Sequence, residues 1–139
     1  MNKELAITIT AAVNAPVETV WKKWNTPEDI TQWAFAAPDW CCPSATNDLK
    51  VGGKFTTRME ARDKSMGFDL HGIYTEVEEL KKIAYTMSDG RKVEIVFVAN
   101  GNMTTVTETF EAENENPKDL QQMGWQAILN NFKAHCEKV

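Results

Sequence analysis

The sequence predicts an α+β domain in which a curved antiparallel sheet of about six to seven strands surrounds a long C-terminal helix, with two short helices after the first strand. Three observations predict it. The last twenty or so residues form a helix with a very wide apolar face. Most of the preceding chain alternates between apolar and polar residues, as half-buried strands do. Two proline-led helix starts follow the first strand.

The C-terminal helix, predicted from Lys118 to about Glu137, is too apolar to lie on a surface. At about 100° per residue, its apolar sector covers about half of the helical wheel. That sector contains Leu120, Met123, Gly124, Trp125, Ala127, Ile128, Leu129, Phe132, Ala134 and Cys136. The residues of one narrow polar stripe are Gln122, Gln126, Asn130, Lys133 and Glu137. A large partner must surround this helix, and a curved sheet that does so often leaves space for a ligand.

The first third of the chain is predicted to fold as a strand followed by two helices. Alternation predicts a half-buried strand from Glu4 to Val13. Pro16 then begins a helix, because the missing N–H of proline has no partner in a first turn. Pro27 begins a short second helix that ends near Trp33. Between Ala34 and Thr46 two prolines interrupt regular structure, so we expect an irregular covering loop.

The middle of the chain is predicted to be a meander of strands joined by turns. Gly52-Gly53 is typical of a tight hairpin turn, since glycine accepts positive φ at no steric cost. The strands are predicted at Asp48–Val51, Lys54–Arg62, Met66–Leu80, Ile83–Met87, Val93–Phe97 and Met103–Glu111.

Composition indicates one soluble domain over residues 1–139 and argues against several classes of protein. Apolar residues make up 42% and charged residues 25% of the chain, as in ordinary globular proteins. No apolar run is long enough to span a membrane, and no export signal precedes the first strand, so a cytoplasmic location is expected. A net charge of −5 with scattered basic residues argues against a nucleic-acid partner. Monomer and homodimer both remain open.

The chemistry-bearing residues do not form a catalytic or metal-binding pattern. Cys41 and Cys42 are adjacent and Cys136 is remote, so neither a metal site nor a disulfide is predicted, and no cofactor is expected. Spacing does not assemble a nucleophile, a base and an orienting carboxylate. The acidic residues are expected on outer faces and linkers.

Several motifs resemble the START-like superfamily, also called SRPBCC or the birch-pollen-allergen fold, and its branch named for activators of the heat-shock-chaperone ATPase. In chain order they are Ala15-Pro16-Val17-Glu18-Thr19-Val20-Trp21, Thr26-Pro27-Glu28 with Trp33, Asp48-Leu49-Lys50-Val51-Gly52-Gly53-Lys54-Phe55, Phe68, Gly72-Ile73-Tyr74 with Glu76-Val77, Thr104-Thr105-Val106, and Gly124-Trp125 with Leu129. The resemblance covers nearly the whole chain and implies the helix-grip fold. The family commonly has a proline where this chain has Glu79-Leu80-Lys81, so a different turn is expected there.

Candidate ligand-binding residues follow from strand alternation combined with the geometry of the resembled family. They are Trp33, Phe35, Trp40, Phe55, Met59, Phe68, Tyr74, Phe97 and Trp125, with Ile128, Leu129 and Phe132 of the last helix and the polar residues His71, Asn131 and His135. Each aromatic residue has ordinary core packing as its alternative. His135 has the alternative of a partly exposed residue at a helix end, and His71 that of a solvent-facing strand residue.

Three functions are predicted from different classes. The leading hypothesis is binding of a small hydrophobic or aromatic molecule between sheet and C-terminal helix, without chemistry. The family resemblance implies the second, a chaperone ATPase regulator with a chaperone as partner. The third, also implied by the superfamily, is a cyclase or lyase in which His71, Asn131 and His135 would be the candidates.

Overall fold

A computed structural model describes residues 1–138 and contains the predicted order of elements. The first strand is β1 (Ala6–Val13), and the helices α1 (Val17–Asn25) and α2 (Pro27–Ile30) follow it. Six further strands come next, and the chain ends with α3 (Lys118–Glu137). These strands are β2 (Trp40–Asn47), β3 (Lys54–Ala61), β4 (Gly67–Glu78), β5 (Lys82–Met87), β6 (Lys92–Asn100) and β7 (Met103–Glu111).

The strands form one antiparallel sheet in the order β1-β7-β6-β5-β4-β3-β2, curled into a half-barrel. The last strand thus returns to pair with the first, and the other strands pair with their neighbours in the chain. The inner face carries the core, where Val93, Ile95, Val106 and Phe110 are fully buried. The predicted α+β helix-grip class is confirmed, and with it the number of strands.

The helix α3 lies over one side of the half-barrel rather than over its centre. It packs chiefly on β1 and on α1. Its buried side chains are Gln121, Leu129, Phe132 and Cys136. The predicted bounds of this helix are confirmed, but the expected width of its enclosed face was wrong. Ala134 is exposed, and Leu120 and Met123 are 55% and 69% exposed, so this side of the helix faces solvent.

The segment expected to be an irregular loop up to Thr46 contains the edge strand β2. Pro43 lies within it, where the register with β3 shifts between Cys41 and Ser44. Because β2 is at the edge of the sheet and bulged at this point, a residue without N–H costs little ladder pairing. The prediction failed because it counted Pro43 as a breaker without knowing that the strand has a free edge.

The segment Asp48–Val51, predicted to be a strand, forms a turn together with the two glycines. Gly52 has φ of 83°, as predicted for a hairpin glycine. Gly53 has a different reason to be glycine, since a Cβ there would overlap the carbonyl oxygen of Asp48. The β2–β3 connection is therefore longer than the expected two-residue hairpin.

Three strands are shorter than predicted, and β3 differs only in ending at Ala61 rather than Arg62. β1 begins at Ala6 rather than Glu4, and β4 ends at Glu78 rather than Leu80. Leu80 has φ of 66°, a left-handed conformation that closes the turn into β5 without proline. A different turn was expected at this point.

Candidate ligand-binding cavity

A cavity of about 470 Å³ lies on the inner face of the sheet. α3 makes its closest backbone contacts with β1 and α1, so a space remains between the inner faces of β3, β4 and β5 and the helices. The cavity occupies this space. Its lining residues are Trp24, Ile30, Trp33, Ala34, Asn47, Phe55, Thr57, Met59, Phe68, Leu70, Tyr74, Ile83, Tyr85, Arg91, Glu108, Glu113, Asn116, Gln121, Trp125 and Ile128.

One wall of the cavity is an aromatic cluster from α1, from α3 and from the turn after α2. Trp24 contacts Trp33 and Phe132 with ring centroids 4.9 and 4.8 Å apart. The indole N–H of Trp33 donates to the carbonyl oxygen of Lys23 at 3.0 Å. Because the indole N–H of Trp33 is hydrogen-bonded and its ring packs on Trp24, the side chain is held in one position and forms a fixed part of the cavity wall.

The sheet wall of the cavity is built from Phe55, Tyr74 and Tyr85. Phe55 and Tyr85 meet edge to face at 4.7 Å, and Tyr74 lies 5.4 Å from Phe55. Phe55 lies directly over Gly72, where any Cβ would overlap its ring. The Tyr74 hydroxyl donates to Asn47 Oδ1, and burial raises the pKa of Tyr74. The wall is therefore mainly aromatic and held in place.

One carboxyl group lies inside this apolar space. Glu108 of β7 points to the inner face with Val106 and Phe110 and is buried. Within residues 1–138 the Glu108 carboxyl has no hydrogen-bond partner, and burial raises its pKa to about 8. Burial also raises the pKa of Tyr85, and the nearby charge of Glu108 raises it further. The expectation that acidic residues lie on outer faces and linkers was wrong for Glu108.

A further part of the cavity lining, around Arg91 and Gln121, is polar and already hydrogen-bonded. Arg91 donates to Asp89 Oδ2 at 2.8 Å and to the Glu111 carbonyl oxygen at 3.3 Å. Gln121 accepts from the N–H of Glu113 at 2.9 Å and donates to the carbonyl oxygen of Asn116 at 2.8 Å. These bonds fasten the start of α3 to the linker after β7. Phe68 also lines the cavity and is 50% exposed, so it lies at the rim.

Some of the predicted site residues line the cavity. They are Trp33, Phe55, Met59, Phe68, Tyr74, Trp125 and Ile128. That any of them contacts a ligand stays a prediction.

The remaining predicted apolar residues lie outside the cavity lining. Phe97, Leu129 and Phe132 are buried in the core, and Phe97 packs on Trp21 and Trp24. Trp40 lies on the edge strand β2, and its ring centroid is 6.0 Å from that of Phe68. Phe35 is partly exposed in the loop after α2. Alternation placed Phe97 on the inner face, and the helical period placed Leu129 and Phe132 on the apolar side of α3, but long-range packing decides which inward residues border open space.

The three predicted polar residues also lie away from the cavity, and two of them connect α3 to the α2 region. Asn131 donates to the Phe35 carbonyl oxygen at 2.6 Å. His135 Nε2 lies 2.9 Å from Asp29 Oδ1, and its buried Nδ1 has no partner among the described residues. His71 bonds Thr56 at 3.2 Å on the outer face of the sheet, as its structural alternative expected. That any of these three residues contacts a ligand stays a prediction.

Sequence reasoning missed several cavity residues, of which Glu108 and Tyr85 matter most for chemistry. The parity of β7 was sufficient to find Glu108, since it alternates in step with Val106 and Phe110. The parity of Ile83, Tyr85 and Met87 equally placed Tyr85 inside. Across residues 1–138, His, Cys, Asp and Glu side chains do not gather in threes as a metal ion would require. Among the same residues, every helix is too short or too polar to cross a bilayer.

The half-barrel, the terminal helix and the space between them define a helix-grip protein of the START-like superfamily. Residues 14–137 match the profile of the family described as Activator of Hsp90 ATPase homolog 1-like protein. The chain belongs to this family, which confirms the resemblance inferred from its motifs.

Solved structures of bacterial proteins have the same fold. An AHSA1-like protein from Aeromonas hydrophila is 42% identical with a TM-score of 0.89, over 95% of this chain and 92% of the other. A Cytophaga hutchinsonii protein is 52% identical with a TM-score of 0.82, over 94% and 91%. A Chromobacterium violaceum protein shares the fold at 20% identity, with a TM-score of 0.86 over 98% and 99%. None of the curated proteins compared with this chain matches it.

Proposed function

We propose that this protein binds a small apolar molecule of aromatic type in the cavity between the sheet and α3, without converting it chemically. The observation that carries the proposal is the cavity itself. Its volume of about 470 Å³ lies within the range of about 300 to 1,000 Å³ typical of small-molecule sites. An empty space of this volume in the interior lowers stability, so its presence favours a binding role.

The lining supports an aromatic ligand. Phe55, Tyr74 and Tyr85 present ring faces and edges on one side, and Trp125 does so on the other. Aromatic pairs in offset or edge-to-face geometry gain about 0.5 to 1.5 kcal/mol beyond their buried area. The half-exposed Phe68 at the rim offers an apolar entry that needs no unfolding of the sheet.

A fluorescence titration tests this proposal. N-phenyl-1-naphthylamine is uncharged, and its emission rises in apolar surroundings, so binding in the cavity is expected to increase it. Binding is also expected to quench Trp125, which lines the cavity. The proposal fails if neither signal saturates.

A matched pair of variants assigns the signal to the cavity. Thr57 lines the cavity, whereas Thr56, the next residue on β3, points to the outer face and bonds His71. Thr57→Phe is expected to fill part of the cavity and to weaken binding at least tenfold, while Thr56→Phe leaves binding unchanged. Circular dichroism of both variants checks that they are folded. Equal binding by the two variants would contradict the assignment.

A second candidate function follows from the family to which the chain belongs, whose description names activators of Hsp90 ATPase. We include the regulation of a chaperone ATPase on that basis. An assay with purified Hsp90 separates the two candidates, because a regulator changes the ATPase rate and a small-molecule binder does not. An unchanged rate at saturating protein would remove this candidate.

A further inference from the structure

Two polar groups that line the cavity have no hydrogen-bond partner among the described residues of the protein. Within the described part of the chain, the carboxyl of Glu108 and the hydroxyl of Tyr85 have no hydrogen-bond partner. Both residues are buried and both line the cavity. The oxygens of both groups are open to the cavity and are not enclosed by protein, so water or a ligand in this space supplies the partner that polar groups in an interior need. A ligand that displaces water from this point must replace its hydrogen bonds.

The sheet register brings these two groups to one region of the inner face. Glu108 pairs with Ile95, and Tyr85 pairs with Val93, the inward residue two positions before Ile95. Only β6 separates the two strands, and its side chains there are short aliphatic ones. Because the sheet is curved and both side chains are on its concave face, the side chains of Glu108 and Tyr85 converge. The charge of Glu108 acts on Tyr85, as expected of groups that face the same space.

The surroundings of Glu108 select its neutral form. Arg91, the cation that lines the cavity, is occupied by Asp89 and by the Glu111 carbonyl oxygen. No positive charge among the described residues lowers the pKa of Glu108, which burial raises to about 8. Near neutral pH the carboxyl is therefore mostly protonated, and it has an O–H to donate. Tyr85 has a second O–H.

We propose that the ligand carries a hydrogen-bond-accepting oxygen, of the ketone or quinone type, which Glu108 and Tyr85 bind through their two O–H groups. This inference rests on the proposed function and names the chemistry of the ligand. A carbonyl oxygen has two lone pairs and accepts both bonds without bringing a charge into the cavity. An amine would require Glu108 to ionise and would bury an ion pair, whose desolvation offsets much of its attraction.

Three probes with the same naphthalene body test the inference. They are 2-acetylnaphthalene, its isostere 2-isopropenylnaphthalene, in which CH₂ replaces the oxygen, and 1-(2-naphthyl)ethylamine. Dissociation constants are measured at neutral pH by quenching of tryptophan fluorescence. The ketone is expected to bind roughly three- to tenfold more tightly than the alkene, the value of one or two neutral hydrogen bonds. The carbonyl stretch of ¹³C-labelled ketone is expected to move to lower frequency on binding.

Variants identify the two donors. Tyr85→Phe and Glu108→Leu are each expected to remove part of the ketone preference and part of the infrared shift, while the alkene binds about as before. Glu108→Gln keeps an N–H donor and is expected to retain most of the preference. The control is Glu94→Gln, on the neighbouring strand β6, because Glu94 forms an ion pair with Lys82 on the outer face. It leaves all three affinities unchanged.

The pH profile adds a readout that a merely structural role would not change. The other titratable groups lining the cavity are Tyr74 on β4, Tyr85 on β5, Arg91 before β6 and Glu113 after β7. The pKa of each tyrosine is raised by burial, and that of Glu113 is lowered by a backbone hydrogen bond from Asn116. From α1, α2 and α3 the lining side chains do not titrate. Ketone binding is therefore expected to weaken as pH rises through about 8 in the wild type, and not in Glu108→Gln.

The outcomes separate the two proposals. If the alkene or the amine binds as tightly as the ketone, the inference is overturned while the small-molecule function stands. If none of the three probes binds, the proposed function fails and the inference fails with it. If the ketone preference survives in both Tyr85→Phe and Glu108→Leu, other groups bind the oxygen and the assignment is wrong.

Discussion

Trp125 of α3 stacks on Phe110 of β7, with ring centroids 3.9 Å apart and planes 8° from parallel. Phe110 is fully buried and lies two residues beyond Glu108 on the same face of the strand. The stack therefore fixes where α3 lies on the sheet and forms one wall of the cavity.

Replacing Trp125 by alanine is expected to destabilise the protein by about 2 kcal/mol, because a half-buried indole and its stacking partner lose their contact. Urea denaturation measures the loss as a lower midpoint with an unchanged slope. Met123→Ala, on the exposed side of the same helix, is the control and is expected to change stability by less than about 0.5 kcal/mol. Equal losses in both variants would mean that the stack does not hold the helix.

Glu108 is expected to make stability fall as pH rises from about 5 to about 8. Its pKa is about 8 in the folded protein against 4.5 ordinarily, so between these values the native state binds one proton more than the unfolded chain. Linkage then lowers the free energy of unfolding with rising pH, by on the order of 5 kcal/mol in total.

The difference between wild type and Glu108→Gln isolates this contribution, since all other titrating groups are shared. Chemical denaturation at a series of pH values is expected to show the variant gaining on the wild type as pH rises, with Glu94→Gln following the wild type. Parallel curves for wild type and Glu108→Gln would show that the carboxyl is not buried as described.

The contact between His135 and Asp29 is expected to hold the end of α3 against α2. Asp29→Ala leaves both ring nitrogens of a largely buried imidazole without a protein partner and is expected to cost about 2 kcal/mol. Glu28→Ala is the matched control, because Glu28 is exposed in the same first turn. It loses only the helix-dipole contribution of about 0.5 kcal/mol. Thermal denaturation measures both, and similar losses would assign the effect to the dipole alone.

The two adjacent glycines of the β2–β3 turn are expected to respond differently to alanine. Gly52 has positive φ with open space around it, so Gly52→Ala is expected to cost about 1 kcal/mol of backbone strain. In Gly53→Ala the new methyl group overlaps the Asp48 carbonyl oxygen, and the turn must rearrange at a cost of about 3 kcal/mol or more. Denaturation midpoints compare the variants, and the reverse order would contradict the steric explanation.

Local sequence pattern predicted the elements well where the neighbouring residues in the chain determine the structure. The 3.6-residue period predicted α3 from Lys118 to Glu137, which are its bounds in the structure. Prolines at the helix starts predicted where α1 and α2 begin, although α2 ends at Ile30 rather than near Trp33. Local sequence pattern failed where contacts with other strands of the fold determine the structure. Pro43 is accepted in β2 because that strand has a free edge and a bulge, neither of which its own residues reveal.

By itself the sequence determined the α+β class, the order of elements, the aromatic character of the inner face and the family resemblance. Only the tertiary structure decided that α3 lies over β1, that the open space is left over β3, β4 and β5, and that Glu108 and Tyr85 face it together. The physical reason is that alternation assigns a side chain to a face of the sheet. Whether that part of the face is covered depends on long-range packing, such as the stack of Trp125 on Phe110.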